Sequence, residues 1–190
     1  MATFCTPITG NINKGACGPK RGGLIGEIYV ANLGEILDIS STAGDKEMDT
    51  ITMRTNPVTS APYTWYKIGF KKNSAGFNNE GQFGNNIFIN QSVTFQVEGI
   101  TKESLEVLQG MVDGEAVFIA KDYNGKTHVL GRVAGLMMST LTYGTGQAAD
   151  DLYGGEIVFT SEEPEMSNLV KAGTTIQVFN GTVTPDTITL

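Results

Sequence analysis

Few residues of this chain have the types and spacing that chemistry needs. Cys5 and Cys17 lack the short intervals and the four ligands of a structural zinc site. In a reducing cytosol they read as two free thiols, or else as a local disulfide formed after release from the cell. His128 is the chain's one histidine, so most hydrolase arrangements have no base to draw on. Ser139 lies in no G-x-S-x-G elbow, and neither cysteine in a Cys–His motif. Asp122-Tyr123-Asn124-Gly125 starts like a calcium loop but lacks the acidic ligand expected about six residues beyond the glycine. The pairs Asp150-Asp151 and Glu162-Glu163 are adjacent, so their side chains tend to point apart. They read as solvated edges, not as an acid–base dyad. Residues 1–22 hold Lys14, Lys20 and Arg21 among glycines. They show no G-x-x-x-x-G-K-[ST] pattern and follow no strand, so no phosphate loop is expected. The chain reads as a non-enzyme with no cofactor and no bound metal.

Composition points the same way. A net charge of −7 is a poor basis for gripping phosphates, since Lys and Arg carry most of that affinity. It still allows nucleic acid to pass without sticking. No apolar run approaches the roughly 18 residues of a membrane span, and no secretory leader is visible, so a cytosolic product is expected. The charged fraction is 17%, and there are 24 glycines among many Thr and Asn. That mix suits a mainly β domain with many turns and much neutral polar surface.

One group of side chains remains: aromatics set among polar residues. Tyr63, Trp65, Phe70, Phe77 and Phe83 fall in the stretch 56–86, which reads as a long loop. Long excursions from a compact domain usually have a function. Aromatics with a polar rim have the composition of an interface.

The elements that must position this loop are legible from periodicity. Residues 23–32 and 35–40 read as two strands of a hairpin, and 48–55 as a third strand. Ser92–Glu98 alternates, with Val93, Phe95 and Val97 on one face. Residues 101–112 change to a helical period that places Leu105, Leu108 and Met111/Val112 on one apolar face, with Leu105, Leu108 and Val112 as core residues, so Leu105→Asp is expected to unfold the domain. Ala116–Ala120 is a short apolar run. Asn124-Gly125 then predicts a type I′ hairpin turn into 127–133. Residues 135–143 and 156–160 are further strands, and Pro164 reads as a stop. Residues 166–190 look like a C-terminal arm or extra hairpin. The expected organisation is therefore an N-terminal arm over 1–22, a core over 23–165, and the C-terminal segment.

The order strand, helix, strand, Asp-x-Asn-Gly turn, strand with internal glycine, Gly-rich loop, last strand resembles the tail tube proteins of tailed bacteriophages. The residues that carry it are Thr101–Val112, Ala116–Ala120 and Asp122–Gly125. They continue through Leu130-Gly131, Gly135-Leu136, Thr145-Gly146, Asp150-Asp151 and Gly154-Gly155 to Glu156–Ser161 before Glu163. The opening, with Cys5, Cys17, Gly22-Gly23, Ile28-Tyr29-Val30 and Asn32, is similar to that of structural proteins in phages of gut bacteria, including the crAss-like phages. The resemblance implies an antiparallel β-sandwich or barrel with one flanking helix. It implies hexameric rings whose inner sheets join into one barrel around a lumen that conducts DNA. It also implies stacking of rings through the 56–86 loop, with Tyr63, Trp65, Phe70, Phe77 and Phe83 as the inter-ring interface, and through the terminal arms. The partners are then further copies of the chain, other tail or connector proteins, and passing DNA that is not specifically bound; no membrane is involved. The location is the virion tail, assembled in the host cytoplasm. A head–tail connector or terminator ring of the same fold is the alternative, as is a capsid decoration or adhesin-like module. The segment beyond Glu165 departs from the minimal tube pattern.

Overall fold

Ala116–Asp122 (β8) is the strand on which the rest is layered. Its residues Ala116 to Ala120 are all at most 4% exposed, which is why the sequence there is a continuous apolar run and not an alternating one. Ala116, Phe118 and Ala120 face one core; Val117 and Ile119 face another. The computed structural model describes residues 21–43, 46–83, 87–99, 101–145, 153–179 and 185–190. The expected N-terminal arm with Cys5 and Cys17, the pair Asp150-Asp151 and the Asn180-Gly181 turn lie outside the described residues.

Beside β8 lie Leu24–Asn32 (β1) and, beyond it, Tyr66–Gly69 (β5). On the other side come Thr127–Leu130 (β9), Asn168–Val170 (β12) and the short Glu47–Met48 (β3), completing a six-stranded sheet in the order β3-β12-β9-β8-β1-β5. A four-stranded sheet covers one face. It is formed by Gly76–Phe83 (β6), Ile87–Glu98 (β7), Met137–Gly144 (β10) and Gly154–Glu163 (β11), in the order β10-β11-β7-β6 and wholly antiparallel. Between the two sheets Phe95, Phe118 and Phe159 pack together, with ring centroids 4.8 Å apart for Phe118 and Phe159. Two ribbons cover the other face: Ile36–Ser40 (β2) with Thr50–Met53 (β4), and Thr175–Val178 (β13) with Asp186–Thr189 (β14). Ile36, Ile39, Ile176, Val178 and Trp65 fill this second core. The protein is mainly β, as expected.

Several expectations change here. The first two strands do not form a hairpin. β2 pairs with β4, while β1 is flanked by β5 and β8. In β1 a bulge with Gly26 at φ +78° shifts the phase, so Leu24, Ile28 and Val30 are buried and Ile25 is 44% exposed. The stretch 56–86 is not one loop. It contains β5 and β6, and β6 pairs along its whole length with β7. Its Gly, Asn and Gln content hides a strand because one side of β6 is an open sheet edge, which needs little apolar surface. The C-terminal segment is not an arm. β12 joins the main sheet, β13–β14 is the foreseen hairpin, and Val170, Ile176 and Val178 are core residues. The boundary expected after Glu165 therefore has no structural counterpart.

The helix Lys102–Met111 (α1) forms where foreseen, with a different face inward. Leu108 is 7% exposed and Met111 packs on the core, whereas Leu105 is 47% and Val112 38% exposed. At 100° per residue, Leu105 stands about 60° beyond Leu108, on the side away from Met111. Leu105 and Val112 are thus not core residues, and the expected unfolding by Leu105→Asp no longer follows.

The Asn124-Gly125 hairpin is present with another turn type. Asp122 N–H donates to Lys126 O at 2.8 Å and Gly125 N–H to Asp122 O at 3.1 Å. Gly125 has φ +79°, but Asn124 is not at positive φ. This is a type I turn followed by a left-handed glycine, not type I′. The Asp122 carboxylate selects it by accepting the N–H groups of both Asn124 and Lys126 at 2.8 Å.

Candidate assembly surface

The four-stranded sheet presents one face to the core and one outward. Val93 and Phe95 of β7, with Ile157 and Phe159 of β11, point in. By alternation Ser92, Thr94 and Gln96 point out, opposite Thr160, Val158 and Glu156. Asn78 and Glu80 continue the row on β6, and Thr140 and Thr142 on β10. Gln96 Nε2 donates to Glu156 Oε2 across the strands at 3.1 Å. None of the four strands contains a lysine or arginine, while they carry Glu80, Glu98, Glu156, Glu162 and Glu163. The bulge in β10 lets Ser139 Oγ donate to Val158 O at 3.1 Å, a structural bond. Both outer strands, β6 and β10, have a neighbour on one side alone among the described residues. An open edge of this length invites pairing with another chain.

The five aromatics expected to form one interface are dispersed. Trp65 is fully buried in the second core, its backbone N–H donating to Gln177 O and its carbonyl accepting from Phe179 N–H, both at 2.8 Å. Phe70 and Phe77 are half-buried against the first core, and the Phe77 ring lies 4.6 Å from His128. Tyr63 is half-buried beside Arg54, whose carbonyl accepts its N–H at 2.9 Å. Of the five, Phe83 alone is open, at 82% exposure, and its register partner across the hairpin, Ile87, is 72% exposed. Trp65, Phe70 and Phe77 are therefore corrected from interface to core. Aromatic type revealed their apolar burial, but not whether the covering surface belonged to the same chain.

Two shallow apolar grooves flank α1. One, of about 240 Å³, is lined by Phe95, Val97, Val107, Leu108, Met111 and Ile157, with Lys67 at its rim. The other, of about 320 Å³, runs between α1 and β1 past Tyr66 and Ala116.

A polar cluster that sequence reasoning missed ties the surface together. Glu163 is 1% exposed, and its carboxylate accepts Val133 N–H at 3.1 Å and Ala134 N–H at 3.0 Å. It is not the solvated edge expected of Glu162-Glu163. A signal was available: counting by twos from Ile157 and Phe159 places 163 on the inner face. Gln91, 2% exposed, accepts Gly131 N–H at 3.0 Å and donates to Glu165 O at 2.9 Å. Glu165 also binds Arg132 and Lys46. Burial works to raise its pKa, but those two cations outweigh burial and hold it below the ordinary carboxylate value. His128 Nε2 lies 3.5 Å from Asp122 Oδ2. Burial lowers the His128 pKa, with Asp122 opposing. These groups brace loops. Among the described residues no three His, Cys, Asp or Glu side chains are placed to hold a metal ion, and no helix is long and apolar enough to cross a membrane. Comparison with protein-family models, with curated proteins and with solved structures finds no match.

Proposed function

We propose that this chain is a virion structural protein, the major tail tube protein of a tailed phage, whose copies form hexameric rings that stack around a DNA-conducting lumen. The observation that carries the reading is the four-stranded sheet: open at both edges among the described residues, largely polar on its outer face apart from the half-buried Phe88 and Val158, and free of lysine and arginine throughout. Its strands alternate in direction, so β10 and β6 run opposite ways. Rotating one copy about an axis roughly along the strands brings β10 beside β6 of the next with antiparallel sense, and repetition closes a continuous barrel. Closure removes both edges. The outward rows of Thr, Ser, Asn, Gln and Glu then line a channel whose acidic groups repel phosphates and let DNA slide.

Electron microscopy of the purified protein at rising concentration tests this. Long hollow tubes are the expected result. Isolated rings that never stack favour the connector or terminator alternative. A species that stays monomeric at every concentration, even when offered preformed tail initiators, overturns the ring reading.

A further inference from the structure

We infer that the cavity between the start of β1, the β8–β9 turn and the segment joining β5 to β6 binds a phosphate monoester carried on a flat, apolar body. None of its lining residues belongs to the four-stranded sheet, and the inference does not depend on the ring reading.

Charge marks the site. The chain has a net charge of −7, yet Arg21 and Lys72 line one cavity of about 410 Å³. Among the described residues neither has a carboxylate within ion-pair distance. Their neighbours Lys67 and Lys71 are already paired, with Glu27 and Glu98. Asp122 is committed to its own turn: Oδ1 accepts the Asn124 and Lys126 N–H groups, and Oδ2 lies 3.5 Å from His128 Nε2. The exposed Lys121 and Lys126, on either side of that turn, add positive potential. Two unopposed cations at one cavity match a dianion. A phosphate monoester carries about −1.5 to −2 near neutral pH, whereas a carboxylate brings a single charge.

Arg21 is held in place for this task. Its guanidinium carbon lies 4.8 Å from the centroid of the Tyr123 ring. Tyr123 Oη donates to Asn73 Oδ1 at 2.8 Å, and Asn124 Nδ2 donates to Arg21 O at 3.3 Å. Stacking occupies the face of the guanidinium and leaves its N–H edge, which grips phosphate oxygens in pairs. The remaining walls are apolar: Leu24, Ile25 and the ring of Phe70. The β1 bulge at Gly26 is what turns Ile25 outward to 44% exposure. A cavity of this size lies in the range of small-ligand sites, and a bare phosphate would leave the apolar walls uncovered. The ester's body covers them.

Calorimetric titration of the full chain with phenyl phosphate, inorganic phosphate and phenol tests the site, with amide NMR shifts to locate it. Phenyl phosphate should bind at about millimolar and about tenfold tighter than inorganic phosphate, with no binding of phenol. Shifts should gather at residues 21–26, 70–73 and 122–125. Arg21→Gln and Lys72→Gln, both at exposed positions, should each weaken binding about tenfold without moving the melting temperature. Arg21→Lys should recover only part of the loss, since it keeps the charge but not the fork. Adenosine monophosphate binding tighter than phenyl phosphate assigns a nucleotide; weaker binding assigns a smaller aryl phosphate. No binding of phenyl phosphate at about 10 mM, inorganic phosphate binding as tightly, shifts that map elsewhere, or affinity unchanged in both glutamine variants overturns the inference. The microscopy of assembly decides the ring reading separately.

Discussion

At the scale of single residues, burial and not type decides what each polar group does. Glu163 satisfies two backbone N–H groups inside the protein, and removing it leaves both without a partner. Glu163→Ala should cost about 2–4 kcal/mol in denaturant unfolding, since an unsatisfied buried donor costs about 1–3 kcal/mol; a loss under about 0.5 kcal/mol would show that those N–H groups find water. His128 gives a pH prediction. Its folded pKa lies below the unfolded value, so the unfolded chain binds the proton first. Stability is then level above about pH 6.5 and falls as pH drops below it. As the chain's one histidine, it should be the main source of slope between about pH 6.5 and 5, and His128→Phe should flatten thermal unfolding over that window. A slope that survives the substitution would assign it elsewhere.

At the scale of elements, α1 and the β8–β9 hairpin make separable predictions. Of the helix's apolar residues, Met111 packs on the core beside Leu108, whereas Leu105, Val107 and Val112 are exposed. Leu108→Ala should cost about 2–4 kcal/mol, and Leu105→Asp should change the melting temperature little. Circular dichroism melts of both variants check the phase, and unfolding by Leu105→Asp would restore the other face. In the hairpin, Gly125 alone needs positive φ. Gly125→Ala should cost about 1 kcal/mol, and Asn124→Ala clearly less; equal losses would indicate a type I′ turn after all. The pairing of β6 with β7 shows why an Asn- and Gly-rich stretch can be a strand. Backbone bonds to a strong neighbour and one inward ring, Phe77, suffice at an edge.

At the scale of the whole molecule, the described residues form three layers, with the largely polar face of the four-stranded sheet on the outside. The proposed lumen makes a charge prediction. Thr94→Lys with Thr160→Lys, both on the outward rows, should leave the fold intact and raise retention of duplex DNA above that of the unmodified protein, with binding that weakens as salt rises. Filter binding at low and high salt reads this, and no gain in retention would place that face away from DNA. Arg132, Lys46 and Glu165 link the turn after β11 to β2 and β3.

The amino-acid sequence by itself determined the β class, β7 from its period of two, β8 from its unbroken apolar run, the span of α1 from its change of period, and the hairpin at Gly125. Each follows from local geometry and needs no partner. The tertiary structure decided the rest. It gave β2 to β4 and not to β1, made a strand of residues 76–83, and drew the C-terminal segment into the core. It left Leu105 and Val112 of α1 exposed, buried Trp65 and Glu163, and left Phe83 outside. Which strand pairs with which, and which of two apolar stripes is covered, depends on surface contributed by residues far away in the chain. Periodicity carries only the identity of near neighbours.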